Sequence, residues 1–207
     1  MNALPPGIWA FPLAFLIGAI PCSYLYVKFK TGEDIRKMGS GNPGATNVFR
    51  SIGKTEGLIV LAGDFLKGLC VPIFLPLFFP APTASENAFK FLLGLTAIGG
   101  HVFSPFLHFK GGKGMAVGAG MTFAVFPVNF LLATAVWFLV LILTQYMSLA
   151  SIIGAYVFAI SSFFTFHHKT LSLIALGGAI FITWTHRSNI RRLIKGEETK
   201  TRLVNKH

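Results

Sequence analysis

The sequence predicts an all-α integral membrane protein with seven transmembrane helices, some short or broken. Of its 207 residues, 53% are hydrophobic and only 12% are charged, which is not the composition of a soluble domain. Long apolar stretches also recur along the chain, and a membrane helix needs about 20 apolar residues. We therefore expect one membrane-embedded domain over residues 1–207, in which residues 196–207 form a polar, frayed cytoplasmic tail.

The first apolar segment, residues 7–27, has no basic residue before it and no small-residue cleavage site after it. This pattern predicts a retained helix and not a signal peptide. The second segment, residues 58–79, contains Asp64 and Lys67, spaced i, i+3 on one helical face. Two interpretations stay open for this pair, a structural salt bridge near the inner surface or support for an anion site.

Prolines follow, and they predict that the second helix breaks and that an external turn begins. Segments three and four, residues 87–100 and 115–126, are short and meet at a glycine turn, which predicts a re-entrant or broken-helix arrangement. Residues 128–143, 152–166 and 171–184 complete the seven segments, with Tyr146, Ser148 and Ser151 in a tight internal turn. The prolines are Pro72, Pro76, Pro80 and Pro82.

The distribution of basic residues predicts the orientation. Six of the 18 Lys and Arg residues lie in the loop after segment one, Lys110 and Lys113 lie in the next internal loop, and seven lie in the tail. Because cytoplasmic loops are enriched in Lys and Arg, we expect an external N-terminus and a cytoplasmic C-terminus. The net charge of +11 therefore reports topology and not nucleic-acid binding.

The sequence GGKG, residues 111–114, is a candidate anion site. Gly111, Gly112 and Gly114 allow a ligand to approach the backbone amides, and Lys113 adds a cation. We expect a helix to begin at about Gly114, and its first amides would attract an anion. The alternative is an ordinary cytoplasmic loop with one positive-inside lysine.

A second polar stretch, SGNPGATN at residues 40–47, offers backbone amides together with hydroxyl and amide side chains. Arg50 and Lys54 follow it, so it also suits a phosphate. It is not a Walker A motif, because the GKS or GKT ending is missing. The candidate binding residues of this stretch are Ser40, Gly41, Asn42, Gly44, Ala45, Thr46 and Asn47.

A third polar stretch begins at His186, in HRSNIRR. His186 and Asn189 are spaced i, i+3 and point the same way from a helix end. In the predicted topology all three stretches lie on the cytoplasmic side, where we expect them to converge. The seven acidic residues form no catalytic or two-metal pair, and Cys22 and Cys70 lack metal-ligand spacing, so we expect no metal and no cofactor.

These three stretches, in this order, resemble the bacterial acyl-phosphate:glycerol-3-phosphate acyltransferases, the PlsY family. The resemblance runs nearly end to end and rests on SGNxGATN, HxFxxF followed by GGKG, and HxxNIxR. The SLAS turn, residues 148–151, is also similar. One departure is mild, since Pro43 stands where an aliphatic residue is common.

The resemblance implies seven membrane helices and an active site at the cytoplasmic surface of the inner membrane. It also implies transfer of a fatty acyl group from acyl phosphate to the 1-hydroxyl of sn-glycerol 3-phosphate, the first acylation of phospholipid synthesis. The products would be lysophosphatidic acid and inorganic phosphate, and the partners would be the two substrates and membrane lipids.

We assign candidate roles on this basis. The candidate catalytic residues are His186, Asn189, Lys113 and Ser151. The acyl phosphate would be held by Ser40, Gly41, Gly44, Ala45, Thr46, Lys113, His186 and Asn189, while Arg50, Lys113 and Ser151 would position glycerol 3-phosphate. The proton of the attacking hydroxyl could go to His186 or to the departing phosphate, and the sequence leaves both open.

The rival hypotheses are a transporter or channel for a phosphorylated solute and a lipid-binding structural protein.

Overall fold

The computed structural model describes residues 5–81, 85–166 and 168–201. These residues form helices and turns with no β-strand, which confirms the all-α class. Short 3₁₀ helices lie at Pro6–Trp9, Ile35–Lys37 and Pro105–Leu107. The α-helices are α1 (Ala10–Ala19), α2 (Cys22–Thr31), α3 (Ala45–Ser51), α4 (Lys54–Phe78), α5 (Glu86–Val102), α6 (Met115–Val125), α7 (Pro127–Thr144), α8 (Met147–Thr165), α9 (Lys169–Thr185) and α10 (Arg187–Ile194).

Five segments of the described chain are long and apolar enough to cross a bilayer, as expected of an integral membrane protein. They are Pro6–Thr31, Lys54–Phe78, Glu86–Leu107, Pro127–Thr144 and Met147–Thr165. Two further apolar helices, Met115–Val125 and Lys169–Thr185, are shorter. The predicted total of seven membrane helices and their orientation stay predictions.

The chain divides into two compact units, Met1–Val125 and Phe126–His207, and the single predicted domain stays a prediction. In the first unit α1 packs on α5, and α4 packs on α5 and α6. Glycines allow the close approach of α4 and α6, because a Cβ on Gly68 or on Gly120 would lie 2.0 Å from a carbonyl oxygen of the other helix. This is the small-residue packing typical of membrane helices.

In the second unit α8 packs between α7 and α9, and α10 contacts α8 and α9. A buried amide, Asn129 on α7, donates 2.8 Å hydrogen bonds to Ser161 and to Thr165 of α8. The rings of Phe126 and Phe166 stack 3.9 Å apart nearby. Apolar packing and a small polar network thus join α7 to α8.

The first membrane segment is broken, contrary to the single helix that the sequence predicts. The break falls at Ile20, which is extended (φ −55°, ψ 117°) because the proline after it disfavours helical geometry. Two carbonyls at the break accept hydrogen bonds from elsewhere in the unit, and Ile20 O also accepts from the nearby Cys22 N at 3.1 Å. Ala19 O accepts from Ser104 Oγ at 2.6 Å, and Ile20 O accepts from Lys67 Nζ at 2.7 Å.

Other boundaries also differ from the sequence prediction. Pro72 and Pro76 lie inside α4, which ends at Phe78, since neighbouring membrane helices let a spanning helix tolerate proline. Pro82 lies outside the described residues. Segment three is not half-length, because α5 and the following 3₁₀ turn together span 22 residues. Helix α8 begins at Met147, so Ser148 and Ser151 are helical and not part of a turn.

Candidate active site

The first polar stretch is organised by the buried side chain of Asn47, which is only 3% exposed. Its Oδ1 accepts hydrogen bonds from Ser40 N at 3.0 Å and from Ser51 Oγ at 3.3 Å. Its Nδ2 donates to the carbonyls of Ile35 at 3.3 Å and Met38 at 3.0 Å. The Asn47 amide therefore uses both its donor and its acceptor groups to hold the loop, and substrate contact by this residue stays a prediction.

Two glycines give this loop its shape. Gly39 and Gly41 have φ values of 53° and 71°, a left-handed conformation that glycine adopts without steric penalty. A Cβ on Gly39 would also lie 2.4 Å from Asn47 Oδ1. The loop thus reaches α3 with Ser40 exposed and Asn42 and Thr46 half-buried.

Helix α3 starts at Ala45, directly after the extended residue Gly44. Its first amides point out of the helix end, where they can donate to an anion. Arg50 on α3 and Lys54 at the start of α4 are exposed. Of the candidate phosphate-binding residues of the first stretch, Ser40, Arg50 and Lys54 are therefore exposed, whereas Asn47 is buried.

An ion pair between Asp34 and Arg36 lies just before this loop in the chain. Asp34 accepts hydrogen bonds from the backbone and the guanidinium of Arg36, the shortest at 2.7 Å. These hydrogen bonds lower the pKa of Asp34 and raise the pKa of Arg36. The guanidinium also lies 5.2 Å from the centre of the Tyr24 ring, which adds a cation–π contact.

The GGKG turn folds back on the end of α5. Gly111 N donates to Val102 O at 3.0 Å, and Gly112 N donates to His101 O at 3.2 Å. Gly114 has φ 83° and leads into α6, which begins at Met115, close to the predicted start. Lys113 is half-buried between these glycines, so the turn places a cation beside a helix N-terminus.

Asp64 and Lys67 form a buried salt bridge, as one of the two interpretations of the sequence expects. Lys67 Nζ lies 2.9 Å from Asp64 Oδ1, and both side chains are more than nine-tenths buried. Lys67 Nζ also lies 3.0 Å from His101 Nδ1. The pair therefore reaches the residue on which the GGKG turn folds.

In the second unit, the third polar stretch is held by Glu198, whose side chain is 2% exposed. Its Oε1 accepts from Ser148 Oγ at 2.9 Å and from Asn189 Nδ2 at 2.7 Å. Its Oε2 accepts from Arg192 Nε at 2.7 Å. Burial raises the pKa of Glu198, but these three hydrogen bonds outweigh it and the pKa lies below its usual range.

Residues 196–201 do not fray, contrary to the sequence prediction for the tail. Gly196 takes a left-handed φ of 71° and donates from its N to Leu193 O at 3.1 Å, which ends α10 and turns the chain back. Thr201 N then donates to Gln145 O at 2.7 Å. The remaining residues of the predicted tail, 202–207, lie outside the described residues.

His186 lies at the junction of α9 and α10 and is 3% exposed. Its Nδ1 lies 2.8 Å from Ile182 O. Because a carbonyl only accepts, Nδ1 carries the proton of the neutral ring and Nε2 carries the lone pair. On α8, Ser151 Oγ donates to Met147 O at 2.8 Å, and Ser151 lies one turn beyond Ser148, which contacts Glu198.

The structure thus collects the candidate residues in two sets. Residues 40–54 and the GGKG turn belong to the first unit, and Ser151, His186 and Asn189 belong to the second. Convergence of all three stretches on one pocket stays a prediction. Sequence reasoning missed His101 and Glu198 as partners of candidate site residues. His101 opens the HxFxxF motif that carried the resemblance, whereas Glu198 lies beyond the HxxNIxR motif, which ends at Arg192.

Comparison with known proteins defines the class of protein. The family model for glycerol-3-phosphate acyltransferase matches residues 8–196, and this chain belongs to that family. It is an acyltransferase family of integral membrane proteins whose members serve phospholipid biosynthesis.

Individual relatives narrow this to the PlsY family. The glycerol-3-phosphate acyltransferase of Endomicrobium trichonymphae is 39% identical over 94% of this chain and 95% of its own length. That of Staphylococcus carnosus is 41% identical over 91% and 94%. The crystal structure of PlsY (YgiH) in its glycerol 3-phosphate form is 34% identical with a TM-score of 0.86, covering 95% of this chain and 96% of the other. Its lysophosphatidic acid form is 32% identical with a TM-score of 0.81, covering 94% of each chain.

Proposed function

We propose that this chain transfers a fatty acyl group from acyl phosphate to the 1-hydroxyl of sn-glycerol 3-phosphate, giving 1-acyl-glycerol 3-phosphate and inorganic phosphate. One observation carries the proposal. Two similar solved structures are forms with glycerol 3-phosphate and with lysophosphatidic acid, and these two molecules differ by one acyl group. They are therefore the acceptor and the product of one acyl transfer.

Acyl phosphate is the donor that suits the residues of this chain. Phosphate is a good leaving group, so the reaction needs no covalent acyl-enzyme, and no GxSxG nucleophile motif occurs in the sequence. Both substrates would then carry phosphate. The chain offers glycine turns with cations beside them and contains only seven acidic residues among 207, a balance that favours dianionic ligands.

Positioning and electrostatic stabilisation would provide most of the rate enhancement. The hydroxyl oxygen of glycerol 3-phosphate attacks the acyl carbon, and the bond from that carbon to the phosphate oxygen breaks. Negative charge develops on the departing phosphate. This phosphate would be bound by Ser40, the backbone amides of Gly41 and Gly44, Lys113, His186 and Asn189. Arg50, Lys113 and Ser151 would orient the acceptor.

The hydroxyl proton has two possible acceptors, His186 and the departing phosphate. Because Nδ1 of His186 donates a hydrogen bond to Ile182 O, Nε2 is the basic nitrogen of the neutral ring. A general base role requires that nitrogen to face the acceptor hydroxyl. Turnover of His186→Ala and His186→Asn across a full pH profile tests this, and undiminished rates in both variants would remove His186 from catalysis.

We place the active site at the cytoplasmic face of a bacterial inner membrane, on the basis of the basic residues in the predicted internal regions. Labelling of single cysteines introduced at positions 37 and 195 in intact cells and in inverted vesicles tests this topology. Reaction only in inverted vesicles is expected. Labelling of either position from outside the cell would contradict the assignment.

The decisive test is a two-substrate assay on purified protein in micelles. We expect product from palmitoyl phosphate and glycerol 3-phosphate with EDTA present, and none when palmitoyl-CoA or acyl carrier protein thioester replaces the donor. A transporter or a lipid-binding structural protein would make no product. Loss of activity in EDTA that magnesium restores would contradict the expected independence from metal.

Lys113→Ala and Lys110→Ala form a matched pair for this assay, because both remove one lysine from the same loop. Loss of a charge-assisted hydrogen bond to phosphate corresponds to about 10- to 100-fold. We expect kcat/KM to fall by about that factor for Lys113→Ala. The exposed Lys110 has no proposed contact with substrate, so its variant should stay within about twofold of the wild type.

A further inference from the structure

Behind the GGKG turn, the structure contains a buried polar cluster that the proposed reaction does not use. We define the clamp as Asp64, Lys67 and His101, which are 2%, 7% and 8% exposed. Buried ionisable groups within membrane helices are expensive and usually have a function. We propose that the clamp fixes the GGKG turn in its anion-accepting shape, so that its three members are positioning residues for glycerol 3-phosphate.

The centre of the clamp is the Lys67 ammonium group, which has three N–H donors. Its Nζ lies 2.7 Å from Ile20 O, 2.9 Å from Asp64 Oδ1 and 3.0 Å from His101 Nδ1. One side chain thus connects three parts of the first unit: the break between α1 and α2, its own helix α4, and the end of α5. The contacts with Ile20 O and His101 Nδ1 are hydrogen bonds, and the contact with Asp64 Oδ1 is an ion pair. Together they hold the three parts of the unit in a fixed arrangement.

The contact with Lys67 also sets the orientation of the imidazole. An ammonium only donates, so Nδ1 of His101 accepts and the ring proton lies on Nε2. Nε2 is the ring atom that faces the turn, because a Cβ built on Gly112 would lie 2.1 Å from it. The ring therefore packs directly against the backbone of Gly112.

The backbone of His101 restrains the turn a second time. Gly112 N donates to His101 O at 3.2 Å, and a Cβ on Gly111 would lie 1.9 Å from the same oxygen. Gly111 and Gly112 are therefore held between the carbonyl and the ring of one residue. Lys113 follows at once, so a change in the orientation of His101 shifts the cation and the amides that bind phosphate.

This inference rests on the proposed function, and the first test is kinetic. His101→Leu removes the acceptor for Lys67 but leaves the Asp64–Lys67 pair, so no buried charge loses its counter-ion. We expect KM for glycerol 3-phosphate to rise about tenfold, which corresponds to 1.4 kcal/mol. We also expect a smaller fall in kcat, because Lys113 would bind the departing phosphate as well. His101→Asn, whose amide oxygen can take the place of Nδ1, should recover most of the lost affinity.

Asn129→Leu is the matched control, since it also removes a buried, doubly hydrogen-bonded side chain but lies in the second unit. It should lower the thermal unfolding temperature without changing KM. A KM for His101→Leu within twofold of the wild type would overturn the clamp. So would an equal KM rise in Asn129→Leu. Absence of product with wild-type protein would instead refute the proposed function.

A double-mutant cycle keeps the proposal testable if His101→Leu does not fold. Gly112→Ala should push the ring aside and raise KM in the wild-type background. In the His101→Asn background the shorter side chain leaves room for the new methyl group, so the same substitution should raise KM much less. Equal effects in both backgrounds would show that the ring does not position the turn.

Discussion

Two polar stretches, one in each unit, are each organised by a single buried side chain, but the chemistry of the two side chains differs. Asn47 holds residues 35–51 with a neutral amide that both donates and accepts. Glu198 holds Ser148, Asn189 and Arg192 with a carboxylate that only accepts. The partners decide the difference, since backbone groups of both polarities surround Asn47 whereas only donors surround Glu198.

The two central side chains, Asn47 and Glu198, therefore tolerate different changes. An amide centre is independent of pH but depends on which of its ends donates. A carboxylate centre forms stronger, charge-assisted hydrogen bonds but loses them when it is protonated. Isosteric substitutions separate these properties because they change polarity or charge and leave volume almost constant.

The largest effect is expected for Asn47→Asp. The new carboxylate oxygen would face the carbonyls of Ile35 and Met38, which accept from the amide now, and a charge would be buried without a counter-ion. We expect a loss of ~3 kcal/mol or more in unfolding free energy. SDS-titrated unfolding in mixed micelles measures this.

The control for that variant is Asn42→Asp, in the same loop but half-buried, which should change stability by less than ~1 kcal/mol. Similar losses in both variants would mean that the loop merely disfavours added negative charge, and that Asn47 is not its centre.

A smaller effect is expected for Glu198→Gln. The amide oxygen can still accept from Ser148 and Asn189, but the amide nitrogen would face Arg192 Nε, so one charge-assisted hydrogen bond is lost. We expect a loss of ~1.5–3 kcal/mol, together with lower activity, because a neutral amide oxygen accepts from Asn189 more weakly than the carboxylate does. Glu197→Gln, at the exposed neighbouring position, should stay within ~0.5 kcal/mol of the wild type.

The smallest expected effect is the pH dependence of the difference in unfolding free energy between wild type and Glu198→Gln. The pKa of Glu198 in the folded protein lies below its usual range, so as pH falls below about 4.3 the unfolded chain takes up the proton first. The stabilisation by Glu198 is therefore complete above that pH and is lost as pH falls through the folded-state pKa. The unfolding free energies of wild type and Glu198→Gln should converge as pH falls below about 4.3.

The contribution of Asn47 should not change over the same range, since an amide does not titrate. The difference between wild type and Asn47→Ala, measured from pH 7 to pH 3, is expected to stay constant. If the unfolding free energies of wild type and Asn47→Ala converged at low pH, the acid sensitivity of the protein would come from the neighbouring Asp34–Arg36 pair and not from Glu198.

The sequence was sufficient for the helical class and for the three polar stretches, because apolar runs and glycine-rich breaks are local signals. It did not predict that Glu198 and Thr201 in the tail are buried. Glu198 stands in a polar, charged segment that is typical of a solvated end, and its partner Ser148 lies 50 residues away in the chain. Asn47 was ambiguous for a related reason, since an amide in a phosphate-binding type of loop can contact the ligand or the loop itself.

The break in the first membrane segment has a consequence for biogenesis. The Ala19 carbonyl accepts from Ser104, 85 residues later in the chain, whereas the Ile20 carbonyl accepts from the nearby Cys22 N as well as from Lys67, 47 residues later. A carbonyl without a partner in hydrocarbon is costly by several kcal/mol, so the first helix should remain near the insertion machinery until Ser104 emerges from the ribosome. We expect this protein to integrate as a group of helices rather than one helix at a time.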